Sequence, residues 1–176
     1  PIAAFDGTNF LLIWNCDIVG YNGYIRGQLI NTAGAKVGPS FWISQLASNS
    51  SGREGISFDG ANYFVVWSTG VFATMHGQFV SPGGALVGQR LTIGVGGKAD
   101  ESGKAVAFGH GKHLVAWHTD DAAGGIVKGR LVLPNGTFDG TEFVIDASTY
   151  PSDAPVSVVA DNTRFLVIFH DKLSGQ

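Results

Sequence analysis

The sequence predicts an all-β fold, and three observations lead there. A ten-residue stretch recurs. Phe5-Asp6-Gly7-Thr8-Asn9-Phe10-Leu11-Leu12-Ile13-Trp14 returns as Phe58-Asp59-Gly60-Ala61-Asn62-Tyr63-Phe64-Val65-Val66-Trp67. It returns more loosely from Phe108 to Trp117, and most loosely from Ala160 to Phe169. The closing aromatics Trp14, Trp67, Trp117 and Phe169 are spaced 53, 50 and 52 residues apart. Each repeat also divides into four short apolar runs separated by turn chemistry. Finally, Gly supplies 26 of 176 residues and charged residues only 14%, against usual shares of ~7% and roughly 25%. Four strands per unit at a period near 50 is the spacing of β-propeller blades. The expectation is a β-propeller of four-stranded antiparallel blades, about three and a half in this chain. They form one propeller domain or segment over residues 1–176, with units near 1–46, 47–96, 97–147 and a partial 148–176. A two-layer sandwich with coincidental pseudo-repeats is the competing architecture.

The elements follow in order. The first strand of the first unit is Ile2 to Phe5. Asp6-Gly7-Thr8-Asn9 is a turn, because Asp, Asn and Gly accept the backbone angles of tight hairpins. The second strand, Phe10 to Trp14, is apolar at every position, so both of its faces should be buried. The third strand is Tyr24 to Ile30, with copies at Thr74 to Val80 and Ile126 to Val132. Each carries a mid-strand glycine: Gly27, Gly77 and Gly129. Glycine weakens a strand, so its recurrence predicts a bulge or a close neighbour. The large second-strand aromatic of the same or next sheet is the expected neighbour. A turn with Gly34, Gly84 or Gly136 follows, then Val37-Gly38, Val87-Gly88 or Asp139-Gly140, then a short fourth strand at Phe41, Leu91 or Phe143. The fourth unit supplies only two strands, near Pro155 to Ala160 and Phe165 to Phe169.

This unit resembles a repeat of about 50 residues in secreted and surface proteins of bacteria. Its pattern is Asp-Gly-x-Asn, an aromatic, Leu-Val-Val-Trp, then Gly-Gln, then Val-Gly. Residues 2–44 and 56–94 match well, 105–146 partly and 155–169 weakly. The resemblance implies a propeller, an extracellular or cell-surface location, and adhesion or binding modules. It carries over no catalytic motif.

Net charge is −3 with no basic block, which argues against nucleic acid as a partner. No apolar run approaches ~18 residues, so no membrane span is expected. The start at Pro1, with no Met and no signal peptide, points to a processed, trimmed or partial chain. Cys16 is alone and forms no internal disulfide. Three units and two strands would leave apolar faces open at both ends. A homo-oligomer, the remainder of a larger propeller, or a strained four-blade ring would cover them.

Chemistry is expected where the units stop agreeing. The connection between second and third strands varies in length and is polar, as is the segment between units, whereas the other two turns are constant. One polar residue follows each closing aromatic: Asn15, Ser68, His118 and His170. Asp17, Asp120, Asp121 and Asp171 lie close by. Such a set could bind a sugar hydroxyl. Its oxygens also suit calcium, although no sequential calcium loop is present and no cofactor is required. The bland alternative is that strands must end, and Asn, Ser and Asp end them. Zinc is not supported: His113 and His118, at opposite ends of one strand, would lie roughly 16 Å apart at about 3.3 Å per residue. His76, equivalent to Arg26 and Lys128, is expected on a solvated outer position.

Three readings stay open. The preferred one is an extracellular binding or interaction scaffold, with a glycan or another protein as partner. The second is a glycoside hydrolase or lyase using Asp100, Glu101 and Asp153 at the channel mouth, where Glu54 also lies. The third is a structural spacer in a larger surface protein. No nucleophile elbow, phosphate loop or His-Glu-x-x-His is present.

Overall fold

Apolar runs of this kind cannot stay half-wet, and the chain folds them into stacked antiparallel sheets. The computed structural model describes residues 1–18, 21–44, 54–69, 74–94, 104–121, 124–147, 156–161 and 163–169. The fold is all-β, with no helix among these residues. The first sheet is an antiparallel meander of β1 (Ile2–Phe5), β2 (Asn9–Ile18), β3 (Tyr21–Asn31) and β4 (Lys36–Ser44). The second repeats it with β5 (Gly55–Phe58), β6 (Tyr63–Thr69), β7 (Thr74–Val80) and β8 (Leu86–Gly94). The third uses β9 (Lys104–Gly109), β10 (Lys112–Asp121), β11 (Gly124–Val132) and β12 (Phe143–Asp146). The fourth holds β13 (Ser157–Ala160) and β14 (Phe165–Ile168). The first strands β1, β5, β9 and β13 touch one another in turn.

The sheets pack face to face through three apolar clusters. Leu11, Ile13 and Ile43 of the first sheet meet Tyr63, Val65 and Trp67 of the second. Phe64, Val66 and Ile93 on the other side of the second sheet meet Val106, Val115 and Trp117 of the third. Leu114, Ala116 and Val127 then meet Val158, Phe165 and Val167. Strand alternation assigns the faces, since successive side chains point to opposite sides. Burial of both faces therefore holds for Tyr63 to Trp67 in β6. It fails in β2 and β14, the second strands of the outermost sheets. There Phe10 is 39% exposed and Leu166 55%.

The turns explain the constant residues. Asp6 Oδ1 accepts from the amides of Thr8 and Asn9 at 2.7 and 2.6 Å, and Asp59 and Asp161 repeat this arrangement. Between third and fourth strands, the amides of Gly34, Gly84 and Gly136 each donate to the carbonyl three residues back at 2.9 Å. All three glycines sit at φ near +80°, the left-handed residue of a hairpin bulge. The Gly-Gln and Val-Gly motifs prove to be one device. Gln28 Nε2 donates to the carbonyls of Val37 and Gly38, and Gln78 Nε2 to those of Val87 and Gly88. These carbonyls face away from the ladder where the register shifts, so a buried amide satisfies them instead.

The neighbour of the mid-strand glycine differs in part from the expected one. In the first and third sheets the cover comes from the fourth strand. A Cβ on Gly27 would lie 2.9 Å from the Phe41 ring, and one on Gly129 would lie 2.9 Å from Phe143 and Ile145. Only in the second sheet is it a second-strand aromatic, with Phe64 2.5 Å from such a Cβ on Gly77. The two aromatics trade places. Where the fourth strand carries Leu91, the second strand carries Phe64; where it carries Phe41 or Phe143, the second strand carries Leu11 or Leu114. One ring per sheet covers the glycine, and either strand can supply it. Gly77→Ala should therefore cost about 1–3 kcal/mol, the usual range for overpacking. In a denaturant double-mutant cycle, G77A combined with F64L should cost clearly less than the two single changes together; additive effects would contradict the contact.

Candidate functional site

The strands run further than the aromatic that was expected to end them. Asn15 pairs with Ile25, Ser68 with Met75 and His118 with Val127. The backbone of Asp120 and Asp121 pairs with Gly125 and Gly124, and Ile18 pairs with Tyr21. Much of the variable second connection is thus hairpin rather than loop. Asp17 lies within β2. The side chains of Asp17, Asp120 and Asp121 lie outside the described residues, as do His170 and Asp171 entirely.

Asn15, Ser68 and His118 share one position and one orientation. By alternation each points with the buried residues of its strand towards the next sheet. Ser68 and His118 are buried, and Asn15 is half-buried. Asn15 reaches Glu54, which immediately precedes β5 and lies 7% exposed. Burial pushes the Glu54 carboxyl up from its usual range. Its own amide, the Lys104 ammonium, the N-terminal amine and the Asn15 side chain offset this in part. Lys104 opens β9 one sheet further on and is itself buried. Ser44 at the end of β4 and Thr119 beyond His118 are also buried at this end. In antiparallel meanders, the ends of second and fourth strands lie beside the starts of first and third strands. One end of the stack therefore gathers a polar layer. It brings together Asn15, Glu54 and Lys104 from three successive sheets. Asp100, Glu101 and Asp153 lie outside the described residues.

The opposite end holds a second buried polar set. Ser57 Oγ lies 2.9 Å from His113 Nδ1, and Asp59 Oδ2 lies 3.5 Å from His113 Nε2. The Asp59 carboxylate beside Nε2 favours the tautomer with its proton there, which leaves Nδ1 to accept from the Ser57 hydroxyl. The residue types suggest a nucleophilic triad, but the environment argues for structure. His113 is 0% exposed, and the rings of Phe64, Phe108 and Phe79 pack 4.8, 4.9 and 5.5 Å from it. This is a latch from the third sheet into the Asp59 turn of the second. Tyr63 does the same one sheet earlier, donating its hydroxyl to the Asn9 carbonyl at 2.9 Å. Burial works against the neighbouring Asp6 carboxylate, yet the amides of Asn9 and Thr8 and the Tyr63 hydroxyl outweigh it and hold the group below its ordinary range. Burial, followed by Asp6, pushes the Tyr63 phenol up. Phe165 occupies the equivalent place in the fourth sheet, its ring edge-on to His110.

One expectation about histidine changes. His76 is buried rather than solvated, because the first sheet covers that face of the second. Its Nε2 lies 2.9 Å from Thr69 Oγ1 and its ring lies beside Trp67. Burial, then Arg90, lowers its pKa. From sequence alone His113 figures only as a zinc candidate; the signal for its latch is its repeat position, which matches that of Tyr63. Among the described residues, no group of three or more His, Cys, Asp or Glu side chains is arranged to hold a metal ion. Nor is any helix there long and apolar enough to cross a membrane. Compared with protein-family models, curated proteins and solved structures, the chain matches none.

Burial pushes the His113 pKa down to about 4, against opposition from Asp59. Above pH 6.5 the ring is neutral folded or unfolded, and the fold keeps its full stability. Between pH 6.5 and 4 the unfolded chain takes up a proton that the folded chain refuses, so stability falls by up to about 3 kcal/mol. Urea midpoints measured from pH 7.5 to 4.5 should show this loss. H113Q should flatten the slope over that window, leaving the smaller contribution of His76. An unchanged slope in the variant would refute the assignment.

Proposed function

We propose that this chain is a β-propeller segment acting as an extracellular or cell-surface binding scaffold, with carbohydrate as its ligand. The propeller reading is supported by three four-stranded meanders and a two-stranded fourth sheet whose first strands touch in sequence, as blades do around an axis. The binding reading rests chiefly on one observation. In a chain with so few charges, Glu54 and Lys104 are both buried at the same end of the stack, with Asn15 beside them. Buried ionic groups are expensive to keep. A carboxylate, an ammonium and an amide converging at the start of the first strands supply the donors and acceptors that sugar hydroxyls need. Asn15, half-buried at this end, would make the contact.

A glycan array probed with the labelled chain tests this directly. The expected result is dose-dependent binding to a defined class of glycans, weakened about tenfold by Asn15→Ala with little change in melting temperature. A folded chain that binds no glycan on the array would overturn the carbohydrate reading and favour a spacer or protein-binding role.

A further inference from the structure

The fourth sheet differs from the other three in width. Among the described residues it consists of β13 and β14, and β14 is paired on its β13 side alone. The second strand of every other sheet is paired on both sides. This difference exposes part of the third sheet. Ile43 and Ile93, at equivalent positions of the first and second sheets, are 4% and 0% exposed. They pack in clusters that take Val80 of β7 and Val132 of β11 from the next sheet along. The turn after β7 adds to that cover, since Gly84 lies against Phe41. Each of these junctions thus runs on across the third strand and its turn.

Among the described residues, the junction between third and fourth sheets stops at β14. Beyond it Phe143 is 40% exposed, and a cleft of about 520 Å³ opens between Leu131, Phe143 and Ile145 on one side and Phe165 and Val167 on the other. An unpaired strand edge beside an apolar cleft is the requirement for strand addition. The edge offers main-chain hydrogen bonds, and the cleft takes alternate side chains.

We infer that the β14 edge and this cleft form a receiving site for a β-hairpin of the type the chain builds between its third and fourth strands. The incoming third strand pairs antiparallel with β14. Its apolar residues fill the cleft over Ile145, and its glycine turn covers Phe143 as Gly84 covers Phe41. The occupant is a polypeptide segment carrying a further copy of these two strands. It is not a second whole copy of this chain, whose corresponding hairpins are already paired within their own sheets. The inference rests on sheet geometry and is independent of carbohydrate binding.

A synthetic peptide spanning Thr74 to Gly94, titrated into the chain by calorimetry, tests it. A second peptide spanning Tyr24 to Ser44 guards against poor behaviour of the first. Saturable one-to-one binding and a raised melting temperature are expected. Ile145→Lys in the cleft should weaken binding about tenfold or more, whereas Leu166→Lys on the opposite face of β14 should leave it unchanged. Failure of both peptides to bind the folded chain at millimolar concentration would overturn the inference, as would binding indifferent to I145K. Light scattering supplies a further check: a concentration-dependent doubling of mass abolished by I145K would assign the cleft to a second copy and overturn it equally.

Discussion

Tyr63-Phe64-Val65-Val66-Trp67 is apolar on both sides, and a strand has only two sides to hide. A sheet containing it must be covered front and back, which a two-layer arrangement cannot provide. Complete burial of each large side chain contributes about 1.5–3 kcal/mol, enough to make the stacking of sheets the dominant constraint. The first and third sheets take the places either side of the second, and the fourth covers the third. The same logic leaves the outermost faces open, with Phe5 and Phe10 on one and Val159, Leu166 and Ile168 on the other. These are the surfaces that a neighbouring unit covers everywhere else in the chain.

Each junction meets the same geometric demand with different residues. The opening residue of the second strand reaches into the preceding turn as Tyr63, His113 or Phe165. The ring above the mid-strand glycine comes from Phe41, Phe64 or Phe143. The bulge carbonyls in the fourth strands of the first two sheets are met by Gln28 and Gln78; in the third, Arg130 takes the equivalent place and stacks 3.6 Å over Phe138. Such exchanges mark contacts that matter physically, because geometry is preserved while side-chain identity is not. They also separate the two ends of the stack. The turn end is latched and closed by these contacts. The other end gathers buried polar groups that no backbone geometry demands, and that contrast is what draws functional interest to it.

Much of the fold was legible because its signals are local. Asp-Gly-x-Asn marks a tight turn wherever it stands, and an unbroken apolar run marks a strand covered twice. Burial of His76 was not legible, since polarity at the equivalent Arg26 and Lys128 says nothing about which sheet lies opposite. The cover over Gly27 and Gly129 was not legible either, because the fourth strand folds back over each glycine from fourteen residues away. Less of the candidate site could be read. Asn15, Ser68 and His118 look like strand ends in sequence, yet pairing continues through them, and their orientation towards the next sheet appears only when the sheets are stacked. The convergence of Asn15, Glu54 and Lys104 joins three repeat units, and no spacing within one unit announces it.

Stability in stacked units is set by nearest neighbours. If stacking on both faces governs this fold, local stability should follow how many neighbours each sheet has. Residue-resolved native-state hydrogen exchange measures that most directly. The amides of Phe64 to Val66 and Leu114 to Ala116 should exchange slowest, near the limit of global unfolding. Those of Leu11 to Ile13 should exchange faster, and those of Leu166 to Ile168 fastest. Uniform protection across the four sheets, or greatest protection in β14, would contradict the account.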